Sequence, residues 1–211
     1  MKAIKKILLI AITLYSTGIN AQETQKRPDG KLITDTTVAP PTLPDYYTGK
    51  DIISGTGFSF KNIEEDNKYI KIGNVNNSKF GTSPFIEDTG LFYEGDEEQF
   101  PPDNLDLLAR FNDMNQLLGS VRDALGTSII NQFKSTNNSA NIDIIFIVSM
   151  NGTVAEIEFS LKKDSLLLSI PPEKFHTMES LIKQRVTFSV EQKNNLKFIP
   201  RVIVSGKIKD L

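Results

Sequence analysis

One histidine and no cysteine occur in the 211 residues of this chain, and together they remove most metal and nucleophile chemistry. A zinc site built on histidine needs further His or Cys ligands, and none exists. Without a thiol there is no cysteine nucleophile, no disulfide framework and no lipid attached at a cleavage-site cysteine. His176 alone can serve as a general base, yet it sits beside Phe175 in a segment that reads as a helix, with no spaced partner. An exposed or half-buried helix histidine is the simpler reading. No Gly-rich phosphate loop, nucleophile elbow or metalloprotease spacing is present. No cofactor and no catalytic residue are expected.

Carboxylates and aromatic rings remain. Glu94, Asp96, Glu97, Glu98, Asp103 and Asp106 fall within thirteen residues. Oxygen-rich stretches hold calcium, and paired carboxylates hydrolyse glycosides. This spacing fits no calcium loop, and a solvated loop leading into a capped helix accounts for it. Residues 46–100 carry ten of the eighteen Phe and Tyr residues, among them Tyr46, Tyr47, Phe92 and Tyr93. Such rings stack on sugars, so an extracellular carbohydrate-binding or carbohydrate-active protein is the alternative functional reading. The lack of Trp, the largest stacking platform, favours packing in a core instead.

The address of the protein is written in its first twenty-one residues. Lys2, Lys5 and Lys6 give a positive start, and Ile7–Tyr15 is apolar except for Thr13. Ser16–Ala21 then supplies small and polar residues suited to a signal peptidase. The apolar run is too short for a stable membrane anchor. Residues 1–21 are therefore expected to be a cleaved signal peptide, with the mature chain beginning near Gln22 in the periplasm or outside the cell. Absence of cysteine in an exported chain suits a bacterial envelope better than a eukaryotic secretory route. Losing three lysines leaves 21 basic against 26 acidic residues, a net charge of −5. That balance argues against nucleic acid as a partner, and no later segment has the apolar length of a membrane span.

Three further segments follow. Residues 22–45 are polar and rich in Thr and Pro, and read as a flexible leader. Residues 46–102 scatter Gly and Asn among aromatics. They read as irregular with a few strands, such as Gly57–Phe60 and Tyr69–Ile72. In residues 103–211, Asp103 is placed to cap a long helix, with Asp106 in its first turn. Leu107, Phe111, Met114, Leu118, Val121 and Leu125 recur at spacings of four and three. This stripe predicts a core-facing helix over a sheet, with a coiled-coil seam as the functional alternative. Gly126 should end or loosen the helix, with Ile129, Ile130 and Phe133 still packed.

Asn151-Gly152 predicts a two-residue type I′ hairpin turn. Paired positions then sum to 303, which joins Ile142 to Leu161, Ile144 to Phe159, Phe146 to Ile157 and Val148 to Ala155 on one apolar face. The opposite face, including Glu156 and Glu158, should be the wetter one. Pro171 and Pro172 predict a helix start, with Phe175, Met178, Leu181 and Ile182 on its apolar face. Val186, Phe188 and Val190 alternate as a strand, and Phe198–Ile208 reads as the last strand. Pro200 places the beginning of that strand at an edge or outside the ladder. The fold expected is α+β: an antiparallel sheet with a long helix before a hairpin–helix–hairpin module.

The order from Ile142 to Asp210, and the text of Ile144–Phe159, resembles the opening hairpin of TonB C-terminal domains. There, an apolar strand, a tight Gly-containing turn and a Val-containing return strand precede a helix and a further strand. Phe198-Ile199-Pro200 is similar to an aromatic-x-Pro element near the end of that family. The resemblance covers about a third of the chain. Energy transducers of this type keep an uncleaved anchor and a long Pro-rich linker, whereas Pro40, Pro41 and Pro44 make only a short cluster. The resemblance thus implies a similar module used for contact between envelope proteins. Arg201, Val202, Val204 and Lys207 of the last strand are the candidate partner-binding residues, because an edge strand accepts a partner's strand by backbone pairing.

Overall fold

The computed structural model describes residues 42–84, 102–192 and 196–211. The expected signal peptide, the leader up to residue 41 and the carboxylates from Glu94 to Glu98 lie outside these, as do Phe92 and Tyr93. In chain order the strands are β1 (Ile52–Gly55), β2 (Phe58–Glu65), β3 (Tyr69–Asn74), β4 (Ala109–Phe111), β5 (Asn141–Ser149), β6 (Val154–Lys162), β7 (Phe188–Val190) and β8 (Phe198–Lys207). The helices are α1 (Met114–Ser135), α2 (Ser165–Leu168) and α3 (Pro172–Arg185). Six strands form one antiparallel sheet in the order β1-β2-β3-β6-β5-β8, and β4 pairs with β7 in a separate ribbon. The α+β class and the antiparallel sheet are as expected. The segment 46–102 contributes β1, β2 and β3 to the same sheet as the later strands, within one unit spanning Thr42–Leu211.

The hairpin register holds where burial enforces it. Ile142 faces Leu161, Ile144 faces Phe159 and Phe146 faces Ile157, and all six are at most 4% exposed. Near the turn the expectation fails. Only Gly152 has a positive φ, of 82°, and Asn151 does not. Gly152 N–H donates to Ser149 O, and Ser149 N–H donates to Thr153 O, at 2.8 Å each. The loop is therefore the three residues Met150–Gly152, a turn closed by a left-handed glycine. Val148 pairs with Val154, not Ala155, and Ala155 is the extra residue of a bulge. Loop and bulge offset each other, which restores the sum of 303 from Ile147 inward. Glycine is required at 152 for a second reason: a Cβ there would lie 2.2 Å from Phe188 O. That close approach lets Phe188 N–H donate to Gly152 O at 2.8 Å.

The same contact explains why the expected closing hairpin is absent. β7 is held at the turn of the first hairpin and pairs with β4, while β8 crosses to β5 and ends the main sheet. Phe111, Phe146 and Phe188 join ribbon to sheet, with ring centroids 4.3–5.7 Å apart.

The long helix starts later than Asp103 implied. Residues 102–108 form a 3₁₀ segment, and Asp113 caps α1 by accepting from Asn115 N–H at 2.8 Å. The buried stripe is Leu117, Val121, Ala124 and Leu125. Leu107 is 66% exposed, and Met114 and Leu118 are about 40% exposed at the edge of the buried face. Gly126, with φ 78° and ψ 158°, breaks the helical backbone at a kink within α1, as expected, and Ile130 and Phe133 pack beyond it. In α3, Pro172 occupies the first turn and Phe175, Met178 and Ile182 are buried. Phe175 packs against Phe159 at 5.1 Å and Tyr47 at 5.8 Å, so α3 lies on the inner face of the sheet.

Candidate functional site

β8 is the last strand of the main sheet, and among the described residues it pairs with β5 alone. The 3₁₀ segment 102–108 packs beside it. Its first half is largely buried, whereas Ile203–Lys207 is exposed except for half-buried Val204. Arg201 is exposed with φ 57°, at an irregularity where Phe146 pairs with Val202 but Val148 pairs with Ile199. Pro200 and this bulge blunt the beginning of the edge, as proteins commonly arrange. Of the four residues singled out from sequence, Arg201 and Lys207 face solvent, Val204 is half-buried and Val202 belongs to the core. Ile203, 58% exposed, was missed. The period-two alternation holds its signal, since Ile203 lies out of phase with Val202 and Val204. Lys197, Arg201, Lys207 and Lys209 occur between 197 and 209 without one acidic residue, in a chain that is acidic overall.

The outer face of the sheet is not the wet surface expected. Glu156 and Glu158 are 5% and 6% exposed, and Ile145, Ile147 and Phe198 are buried apart from the main core. The chain after β3 is the cause. Ser78, Lys79 and Phe80 donate their backbone N–H groups to the Glu156 carboxylate at 2.8–3.3 Å, and Asn77 Nδ2 donates to Ile157 O at 2.8 Å. Lys197 N–H donates to Pro84 O at 2.7 Å. Residues 75–84 therefore run from β6 to the start of β8, over the outer side of β5. Burial pushes the Glu156 carboxyl up, but the three N–H groups and Lys79, at 3.6 Å, outweigh it and hold it below the ordinary value.

Glu158 makes no such bonds among the described residues. Burial pushes its carboxyl up to about 6, opposed by the charges of Lys71, Lys61 and Arg201 and reinforced by Glu156. It occupies a tight row: a Cβ on Gly73 would meet Ile63 Cδ1 at 2.8 Å and Glu158 Cγ at 3.1 Å. The folded protein holds the Glu158 proton more tightly than the unfolded chain, which titrates near 4.5. Its stabilising contribution is thus complete below pH 4.5 and is lost as the pH rises through 6. Replacing Glu158 by Gln is expected to gain about 1–2 kcal/mol at pH 7.5 and nothing at pH 4. Urea denaturation at the two pH values checks this, and an equal change at both would refute it.

The other chemical candidates resolve into structure. His176 stacks on Phe58 with centroids 4.9 Å apart, and its Nδ1 has no hydrogen-bond partner among the described residues. The Tyr47 ring is fully buried and its hydroxyl donates to Ile170 O at 2.6 Å. Burial, with Glu173 nearby, pushes that hydroxyl far above the usual phenol range. Tyr46 is half-buried at its side. Among the described residues no group of three or more His, Asp or Glu side chains is placed to hold a metal, and no helix is long and apolar enough to cross a membrane.

A twisted antiparallel sheet with two main helices on one face and a strapped outer face defines the class of fold. No protein-family model and no curated protein matches the sequence. The crystal structure of a DUF5043 family protein from Bacteroides uniformis superposes with a TM-score of 0.59 at 17% identity, over 79% of this chain and 90% of that one. At that identity the likeness concerns the fold alone.

Proposed function

We propose that this chain is a non-enzymatic exported envelope protein whose α+β unit binds another protein by adding its partner's strand to β8. The observation that carries the reading is the unequal pair of sheet edges. β1 is four residues long, whereas β8 is ten; among the described residues β8 pairs with β5 alone, and Ile203–Lys207 is exposed except for half-buried Val204. A long edge strand presents a row of backbone donors and acceptors, the template for strand addition. Charge selects the occupant. The basic residues of 197–209 favour an extended segment with acidic flanks, and they oppose a second copy, because β8 against β8 sets Arg201 and Lys207 among their own kind.

A photo-crosslinking residue at Ser205 tests this in envelope extracts, with the same probe at Ile52 of β1 as the control. The expected product is a discrete adduct at position 205 alone, mapped by mass spectrometry to an extended acidic segment of the partner. It should disappear when Lys207 and Lys209 are both replaced by Glu. Adducts formed equally at both edges, or none at Ser205, overturn the proposal, as does recovery of the protein in the cytoplasmic fraction.

A further inference from the structure

We infer that the strand received by β8 also buries one Leu or Met side chain in a crevice between α1 and that edge; this rests on the edge-pairing reading. The crevice measures about 40 Å³ and is walled by Leu117, Leu118 and Val121 of α1, by Val204 and Gly206 of β8, and by Ile208 and Leu211 beyond it. Its lining is almost wholly apolar, with Lys207 at the lip. Gly206 lies opposite Ile142, in the same inner row as Val204 opposite Ile144. A Cβ built on Gly206 meets no atom within 4 Å. Among the described residues, the inner row of β8 therefore has no side chain at Gly206 to fill this crevice.

Strand geometry connects this gap to the edge. In a strand added outside β8, alternate side chains project toward α1, each about 5 Å from its neighbour on β8. The side chain next to Gly206 meets no described side chain there and enters the gap. A water needs roughly 10–15 Å³ on this measure, so the crevice holds about three carbon-sized groups. The tip of Leu or Met fits, and an aromatic ring does not. A polar tip would lose its hydrogen bonds against this wall. The occupant is thus an extended, acid-flanked segment with Leu or Met facing Gly206.

The test uses two fluorescein-labelled peptides of alternating Thr with Glu at both ends, one carrying a central Leu and the other Ser. Fluorescence anisotropy with the full chain should show the Leu peptide binding about tenfold tighter. Gly206→Leu fills the crevice from within, and φ at 206 is not positive. This variant should bind both peptides as weakly as the wild type binds the Ser peptide. Leu118→Gln at the rim serves if circular dichroism shows that Gly206→Leu misfolds, and it should reduce the preference to about twofold or less. Equal binding of both peptides to the wild type overturns the crevice while leaving edge pairing standing. A preference that survives in the variants also overturns it. Binding of neither peptide overturns both readings, and self-association abolished by Gly206→Leu would make the occupant a second copy and refute the proposal.

Discussion

Replacing Phe146 by Ala is expected to cost about 3–5 kcal/mol, a large share of the stability of an ordinary domain. Phe146 is fully buried and touches the rings of both Phe111 and Phe188. The lost volume lies where the main sheet, the β4-β7 ribbon and the first hairpin meet, so no single neighbour can collapse into it. Urea denaturation measures the loss. Lys162→Ala on exposed strand surface is the control and should stay within about 0.5 kcal/mol. Equal losses at the two positions would mean that the inner face of the sheet is misassigned.

The second large effect is expected at Glu156. Glu156→Ala should cost about 3 kcal/mol, because the N–H groups of Ser78, Lys79 and Phe80 lose a charged acceptor together. Glu156→Gln keeps one acceptor oxygen and should cost about half as much. Since this carboxyl is held below its ordinary value of 4.5, its contribution is present at neutral pH and lost as the pH falls through the folded value. Hydrogen exchange gives the local readout: amides 78–80 should lose protection in the Ala variant, while the core of β5 keeps it. Unchanged exchange at 78–80 would show that the strap is held by something else.

These two sites also show what could be read from sequence. Alternation located the inner face of β5 and β6, because an error of one residue would expose Ile142, Ile144 and Phe146 together. Pro172 at the start of α3 and the kink at Gly126 were legible for the same reason: their backbone limits are local. The start of α1 was not. Asp103, Asp106, Leu107 and Phe111 imitate a capped helical stripe, yet Phe111 is claimed by Phe146 and Phe188, which are distant in sequence. Nor did alternation reveal the burial of Glu156 and Glu158. It separates the two sides of a strand but carries no record of what later crosses the outer one. The edge position of β8 was foreshadowed by Pro200, whereas the crevice at Gly206 depends on how far α1 reaches, which only the tertiary packing decides.

The irregularities in the sheet bear on how such a chain can change over generations. Losing or gaining one codon inside a regular strand turns every following side chain to the wrong side. Ala155 is different, since its removal would leave Val148 opposite Val154 and Ile147 opposite Glu156 in unbroken alternation. Comparable breaks occur between Asn62 and Glu64 and opposite Ile147 in β8. At these three points one residue can be deleted without inverting the protein's interior, because each bulge already holds one residue more than its partner strand.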